Sequence, residues 1–234
     1  MRPVSSRYLD LADHYDSALR AHGDTARGAD WPNQQDRELR FEVMLDLLRG
    51  DDSPAIELLD FACGSGDLLR HLTGRPLPGL SYRGADISAD ALALARAKFP
   101  GAPFTRIDIL KASDDEVAAL AADYCVIDGL FTVKADLTDD EMWSFLTTVV
   151  TRLWGVTRKG IAFNVMSKQV DHERSDLFHL SFDRAAGFLH GLAGRSIAFR
   201  ADYGLYEYTC YAFRQPRRGP YAGSSEATPP SSVA

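Results

Sequence analysis

From residue 55 onward, short apolar runs alternate with amphipathic stretches of helical length, and this alternation constrains the fold most. AIELLDF, LSYRGADI, PFTRIDI, DYCVIDGLF and GIAFNVMS read as strands. Between them, DLLRHL, ADALALARAKF, DDEVAALAA and TDDEMWSFLTTVVTRLW read as helices. Pro100 stops the second of these, and Thr138 caps the last, with acids in its first turn. Repeated strand–helix alternation predicts an α/β fold, with a parallel sheet covered by helices on both faces. SIAFRAD and YEYTCYAFR then follow one another across Asp202–Leu205. They predict a hairpin that places one antiparallel strand at the sheet edge.

The flanks differ from this core. Residues 1–30 are mixed and polar, with Tyr8, Leu9, Leu11 and Tyr15 as apolar marks. Residues 34–49 carry Leu39, Val43, Leu47 and Leu48 at helical spacing. We expect residues 1–35 to form an N-terminal helical lid and residues 36–214 to form the main domain. QPRRGPYAGSSEATPPSSVA, residues 215–234, lacks periodic apolar positions and is expected to be a disordered tail.

Composition excludes several classes. The 234 residues are 45% hydrophobic, enough for a sizeable core. A net charge of −7 gives no electrostatic footprint for nucleic acid. Three cysteines, Cys63, Cys125 and Cys210, are odd in number and lack CxxC spacing, so neither a disulfide framework nor a zinc ribbon is expected. The first residues carry charges where a signal peptide needs an apolar core. No apolar run approaches the roughly 20 residues of a membrane span. A cytoplasmic chain with no membrane partner is expected.

Ligands of such sheets bind at the carboxyl ends of the strands. The first end is LLDFACGSGDLL, residues 58–69. Gly64 and Gly66 allow close approach of backbone to a ligand, and the following helix points amides the same way. No Gly-Lys-Ser/Thr is present for a triphosphate loop. A dinucleotide fingerprint would need a small residue where Leu69 stands. S-adenosylmethionine is the third option. Asp60 and Asp67 suit its ammonium and sulfonium and would repel a pyrophosphate. The second end carries Asp86, suited to ribose hydroxyls in either adenosine cofactor. The third carries Asp108-Ile109, suited to an adenine amino group and ring. The fourth carries Asp128-Gly129-Leu130-Phe131.

In that order and spacing, LLDFACGSGDLL, YRGADIS, FTRIDIL and CVIDGLF resemble the four cofactor motifs of class I S-adenosylmethionine-dependent methyltransferases. The resemblance covers roughly residues 36–214. It implies a Rossmann-like three-layer sandwich with a seven-stranded, mostly parallel sheet whose last inserted strand is antiparallel. It implies S-adenosylmethionine as cofactor. Asp60, Ala62, Cys63, Gly64 and Gly66 would border its methionine part, Asp86 would bind ribose, Ile87 and Ile109 would flank adenine, and Asp108 would bind the amino group. Asp128 would lie by the sulfonium. Arg40 would pair with the cofactor carboxylate. Two positions depart from the pattern: Ala62 stands where glycine is common, and Asp128 where a neutral residue is common. DWPNQQDRELRF (30–41), GLFTVK (129–134), AFNVMSKQVDHERSDLFH (162–179) and DYGLYEYTCY (202–211) resemble a narrower bacterial group of polysaccharide and secondary-metabolite pathways.

Further candidates follow from position. Lys134, Asn164, Lys168 and Arg174 lie at or after the fourth and fifth strands and are expected to contact substrate. Tyr203 and Tyr206 at the hairpin, and Tyr15 and Trp31 in the N-terminal segment, are expected to shape its pocket. Asp128 and His172 are the candidate acid–base residues. His172 and Asp176 are one turn apart but lack the second histidine of a zincin pair, and no metal is expected. The expected function is methyl transfer to a small-molecule or sugar-derived acceptor in secondary metabolism. Two alternatives stand beside it: a scaffold repurposed for a non-methylating reaction such as intramolecular ring closure of an amine, and a non-catalytic partner subunit. A homodimer or a pathway partner protein is compatible with either.

Overall fold

The computed structural model describes residues 6–31 and 33–217. The expected tail lies, from residue 218 on, outside the described residues. The chain runs α1 (Tyr8–His22), a 3₁₀ turn (Arg27–Ala29), α2 (Gln34–Leu45), β1 (Ile56–Phe61), α3 (Asp67–Gly74), β2 (Leu80–Asp86) and α4 (Ala89–Lys98). It continues through β3 (Phe104–Arg106), α5 (Asp114–Ala118), β4 (Ala122–Ile127), α6 (Asp139–Val156) and β5 (Thr157–Ser167). It closes with β6 (His179–Leu180), α7 (Phe182–Ala193), β7 (Ile197–Arg200) and β8 (Glu207–Phe213).

The sheet order is β3-β2-β1-β4-β5-β8-β7, and two-residue β6 pairs beside the end of β5. β1 to β5 pair in parallel, joined by crossover connections that carry helices. β8 is antiparallel to both β5 and β7. The expected antiparallel strand is therefore present, inserted one place in from the edge, with short β7 outermost. The first reversal of strand order falls between β1 and β4, so their carboxyl ends open a crevice there.

Strand alternation sorts side chains into two cores. Leu59, Phe61, Cys125, Ile127, Ile161 and Phe163 face α5, α6 and α7. Leu58, Tyr124, Val126 and Ala162 face α2 and α3. Adjacent residues pointing to opposite faces, all buried, identify a sheet covered on both sides. The α6 start is fixed by a capping box: the Thr138 hydroxyl accepts from the Glu141 amide, and the Glu141 carboxylate accepts from the Thr138 amide. The N-terminal segment is a helix with Tyr8 and Leu11 buried, and both join the first core. Among the described residues, no helix is long and apolar enough to cross a membrane.

Candidate active site

A cavity opens at the carboxyl ends of β1 to β4, beneath α1. Its floor is the loop after β1. Ala62, Gly64 and Gly66 all have positive φ there, at 61°, 53° and 82°. A Cβ at Gly64 would meet nothing within 4 Å, so that backbone borders open space. Gly66 faces away, towards Phe99 and Phe104. Ala62 alone carries a side chain in this left-handed stretch, which costs a non-glycine residue about 1–2 kcal/mol. Ala62→Gly should therefore raise unfolding free energy by about 0.5–1 kcal/mol in urea titration, after the added unfolded-state entropy of glycine is subtracted.

Acids converge on this loop. Asp86 is buried and accepts from the amides of Gly64 and Ser88, both at 2.8 Å. Burial raises its pKa, against the pull of those amides. Asp60 is also buried and accepts from the Tyr82 hydroxyl at 2.7 Å. Desolvation, reinforced by the charges of Asp128, Asp86 and Asp67, pushes it up to about 8. Asp128 is pushed up to about 7 by desolvation and by Glu207, with Arg40 and Arg37 opposing. The Cys63 thiol is driven up by burial, so it is a wall rather than a nucleophile.

The N-terminal segment is bonded to all four strand-end loops. Asp24 accepts from the Ser65 hydroxyl and the Lys98 ammonium, both at 2.8 Å. Asp16 accepts from the Ser88 hydroxyl. The Tyr8 hydroxyl donates to Asp108 at 2.7 Å, and the Tyr15 hydroxyl donates to the Gly129 carbonyl at 3.0 Å. Tyr15 is an expected site residue; Tyr8, Asp16 and Asp24 are additional ones. The i, i+3, i+7 spacing of Tyr8, Leu11 and Tyr15 signals one helix face turned inward, and no such pattern marks Asp16 or Asp24.

Of the expected residues, Asp60, Ala62, Cys63, Gly64, Asp86, Ile87, Asp108, Ile109, Asp128, Tyr15 and Trp31 line the cavity together. Arg40 lies behind Trp31, its guanidinium 4.2 Å from the ring centroid, and donates to both oxygens of Glu207 at 2.9 Å. Asn164 and Tyr203 are buried in the same polar group. The remainder are placed elsewhere. Lys134 pairs with Asp139, Lys168 with Glu173 and Arg174 with Asp176. His172 is exposed on the segment after β5, and Tyr206 is 70% exposed. None of these five lines the cavity. The segment holding Lys168, His172 and Arg174 runs outward because β6 and the Val133–Leu177 bridge tie down only its far end. Among the described residues, no group of three or more His, Cys, Asp or Glu could hold a metal.

Comparison with known proteins agrees with this geometry. Residues 59–152 match the family model described as a methyltransferase domain. The chain is 29% identical over 156 residues to Rv1506c of Mycobacterium tuberculosis, a candidate methyltransferase, covering 64% of this chain and 88% of that one. Magnesium protoporphyrin IX methyltransferase of Synechocystis PCC 6803, solved with bound S-adenosylmethionine, superposes with a TM-score of 0.60 at 13% identity, covering 92% of this chain and 100% of that one. The plantazolicin methyltransferase BpumL, solved with a pentazolic desmethylPZN analogue and S-adenosylhomocysteine, gives 0.57 at 14% identity, covering 88% of this chain and 98% of that one. At these identities the two structures speak to fold alone. Sheet order, the glycine loop with acids at the strand ends, and the matched domain agree: residues 59–152 of the chain match a methyltransferase domain, on a fold shared with solved S-adenosylmethionine-dependent methyltransferases.

Proposed function

We propose that this protein binds S-adenosylmethionine in the cavity under α1 and transfers its methyl group to a small-molecule or sugar-derived acceptor of secondary metabolism. One observation carries the cofactor reading. Among the described residues, three buried side-chain atoms have no hydrogen-bond partner: Asp128 Oδ1, which lines the cavity, and Arg37 Nε and Arg40 Nη1, whose charges act on Asp128 from behind its wall. Two cationic donors and one acid acceptor are the complement of an α-amino acid, carboxylate and ammonium together. Leaving such groups unpaired costs about 1–3 kcal/mol each, and more for charged groups, so a ligand that pairs them gains that much. Asp86 and Asp108 suit the ribose and adenine ends.

When bound, the cofactor supplies an electrophilic methyl group on sulfur. The chain's own residues do the rest. The Gly64 backbone and Asp86 fix the ligand's long axis. α1 and Asp24 just beyond it, held by their bonds to the four loops, exclude water, which matters where reactants lose charge. Tyr15 and Trp31 offer apolar walls that orient an acceptor. Orientation of this kind is worth up to about 7–11 kcal/mol. Asp128, poised near neutrality, takes the proton from an acceptor O–H or N–H.

The test is transfer of isotope-labelled methyl from S-adenosylmethionine into a low-molecular-mass extract and a panel of sugar and amine acceptors. Labelled small molecules, formed with equal S-adenosylhomocysteine, are expected. Asp128→Asn should slow this by about 10²–10⁴-fold. Label appearing only in RNA or protein, or nowhere, would refute the acceptor class.

A further inference from the structure

A buried carboxylate outside the cavity is bonded to residues that pack behind two of its walls. Glu207, on β8, is 2% exposed. It accepts from Arg40 Nε with both oxygens, from Asn164 Nδ2 at 3.1 Å and from the Tyr203 hydroxyl at 3.3 Å. Two routes lead from it to the cavity. Through Arg40 it reaches Trp31, whose ring lies on the guanidinium. Through Asn164, whose Oδ1 accepts from the Gly129 amide at 2.8 Å, it reaches the peptide that follows Asp128. The two routes close on each other: a Cβ at Gly129 would sit 2.6 Å from the Trp31 ring. The Gly129 carbonyl is meanwhile held by Thr132 and Tyr15.

We infer that Glu207 is a positioning residue for the reacting end of the cavity, setting Arg40 and Trp31 on one side and the Asp128–Gly129 turn on the other. A buried ion pair is weak evidence for stability, because desolvation offsets its attraction. Placement is a better account of a pair whose arginine keeps one nitrogen free and offers a face to a cavity wall. The inference rests on the cofactor reading above, and the test separates the two.

The chain has three tryptophans, Trp31 and the α6 residues Trp143 and Trp154, so 5-fluorotryptophan labelling gives three ¹⁹F resonances, with Trp31 assigned by Trp31→Phe. Glu207→Gln is expected to move the Trp31 resonance and leave the other two in place. It should also weaken S-adenosylhomocysteine binding by about tenfold, the scale of one hydrogen bond to a charged group. Arg40→Lys keeps the charge but loses the planar stack. It should move the same resonance, and it carries the test if Glu207→Gln does not fold. An unmoved Trp31 signal, or wild-type affinity in the folded variant, overturns the positioning role. Wild-type protein that binds no S-adenosylhomocysteine overturns the cofactor reading instead.

Discussion

Asp86→Ala is expected to lower affinity for S-adenosylhomocysteine by at least about 100-fold, because it removes two kinds of contact at once. The first is the pair of acceptors that ribose would take under the proposed function. The second is internal: the carboxylate now holds the Gly64 and Ser88 amides, joining the glycine loop of β1 to the turn after β2. Without it, the backbone at Gly64 loses the anchor that sets its distance from the ligand. Asp86→Asn keeps the volume and one acceptor and should lose less. Calorimetry reads both, with circular dichroism confirming the fold. Equal affinity in wild type and Asp86→Ala would remove this residue from the site.

The second large effect concerns pH. Asp60 and Asp128 titrate near 8 and 7 in the fold, chiefly through desolvation. In the unfolded chain a carboxyl titrates near about 4. Between those limits the native state binds more protons than the unfolded state. Stability therefore falls as pH rises from about 4 and levels off above about 8. Asp51 acts in a lower window: despite burial, bonds from Lys159, Ser53 and Tyr124 hold it well below the usual range, so its contribution is lost only in acid. Asp60→Asn should abolish about half of the neutral-range fall and leave the part due to Asp128. It should be more stable than wild type by on the order of 3 kcal/mol at pH 8.5 and nearly equal at pH 4, in guanidinium titrations. A wild-type profile that is flat from pH 5 to 8 would show that Asp60 ionises freely.

These two acids show what the sequence could and could not reveal. Asp60 interrupts the buried apolar run of β1 and Asp86 ends β2, so their positions at the strand ends mark them, and the strand–helix alternation predicts the parallel sheet. Capping at Thr138 was legible because the box is local. The Arg40–Glu207 pair was not, because 167 positions separate its members and no periodicity links a residue of α2 to one of β8. Position after β5 was equally misleading for Lys168, His172 and Arg174. The strand end does approach the site, but β6 draws the chain back to the sheet and leaves the intervening charges exposed. The inward face of α1 lay between these cases. Tyr8, Leu11 and Tyr15 gave its spacing, but not the hydroxyl contacts to Asp108 and Gly129.

The claim on which all else depends is that the cavity under α1 holds S-adenosylmethionine. Its most direct test is calorimetric titration of the purified full chain with S-adenosylmethionine and S-adenosylhomocysteine. We predict saturable, micromolar binding of both. No binding by the folded protein up to about millimolar ligand, a standard free energy no better than about −4 kcal/mol, would contradict it.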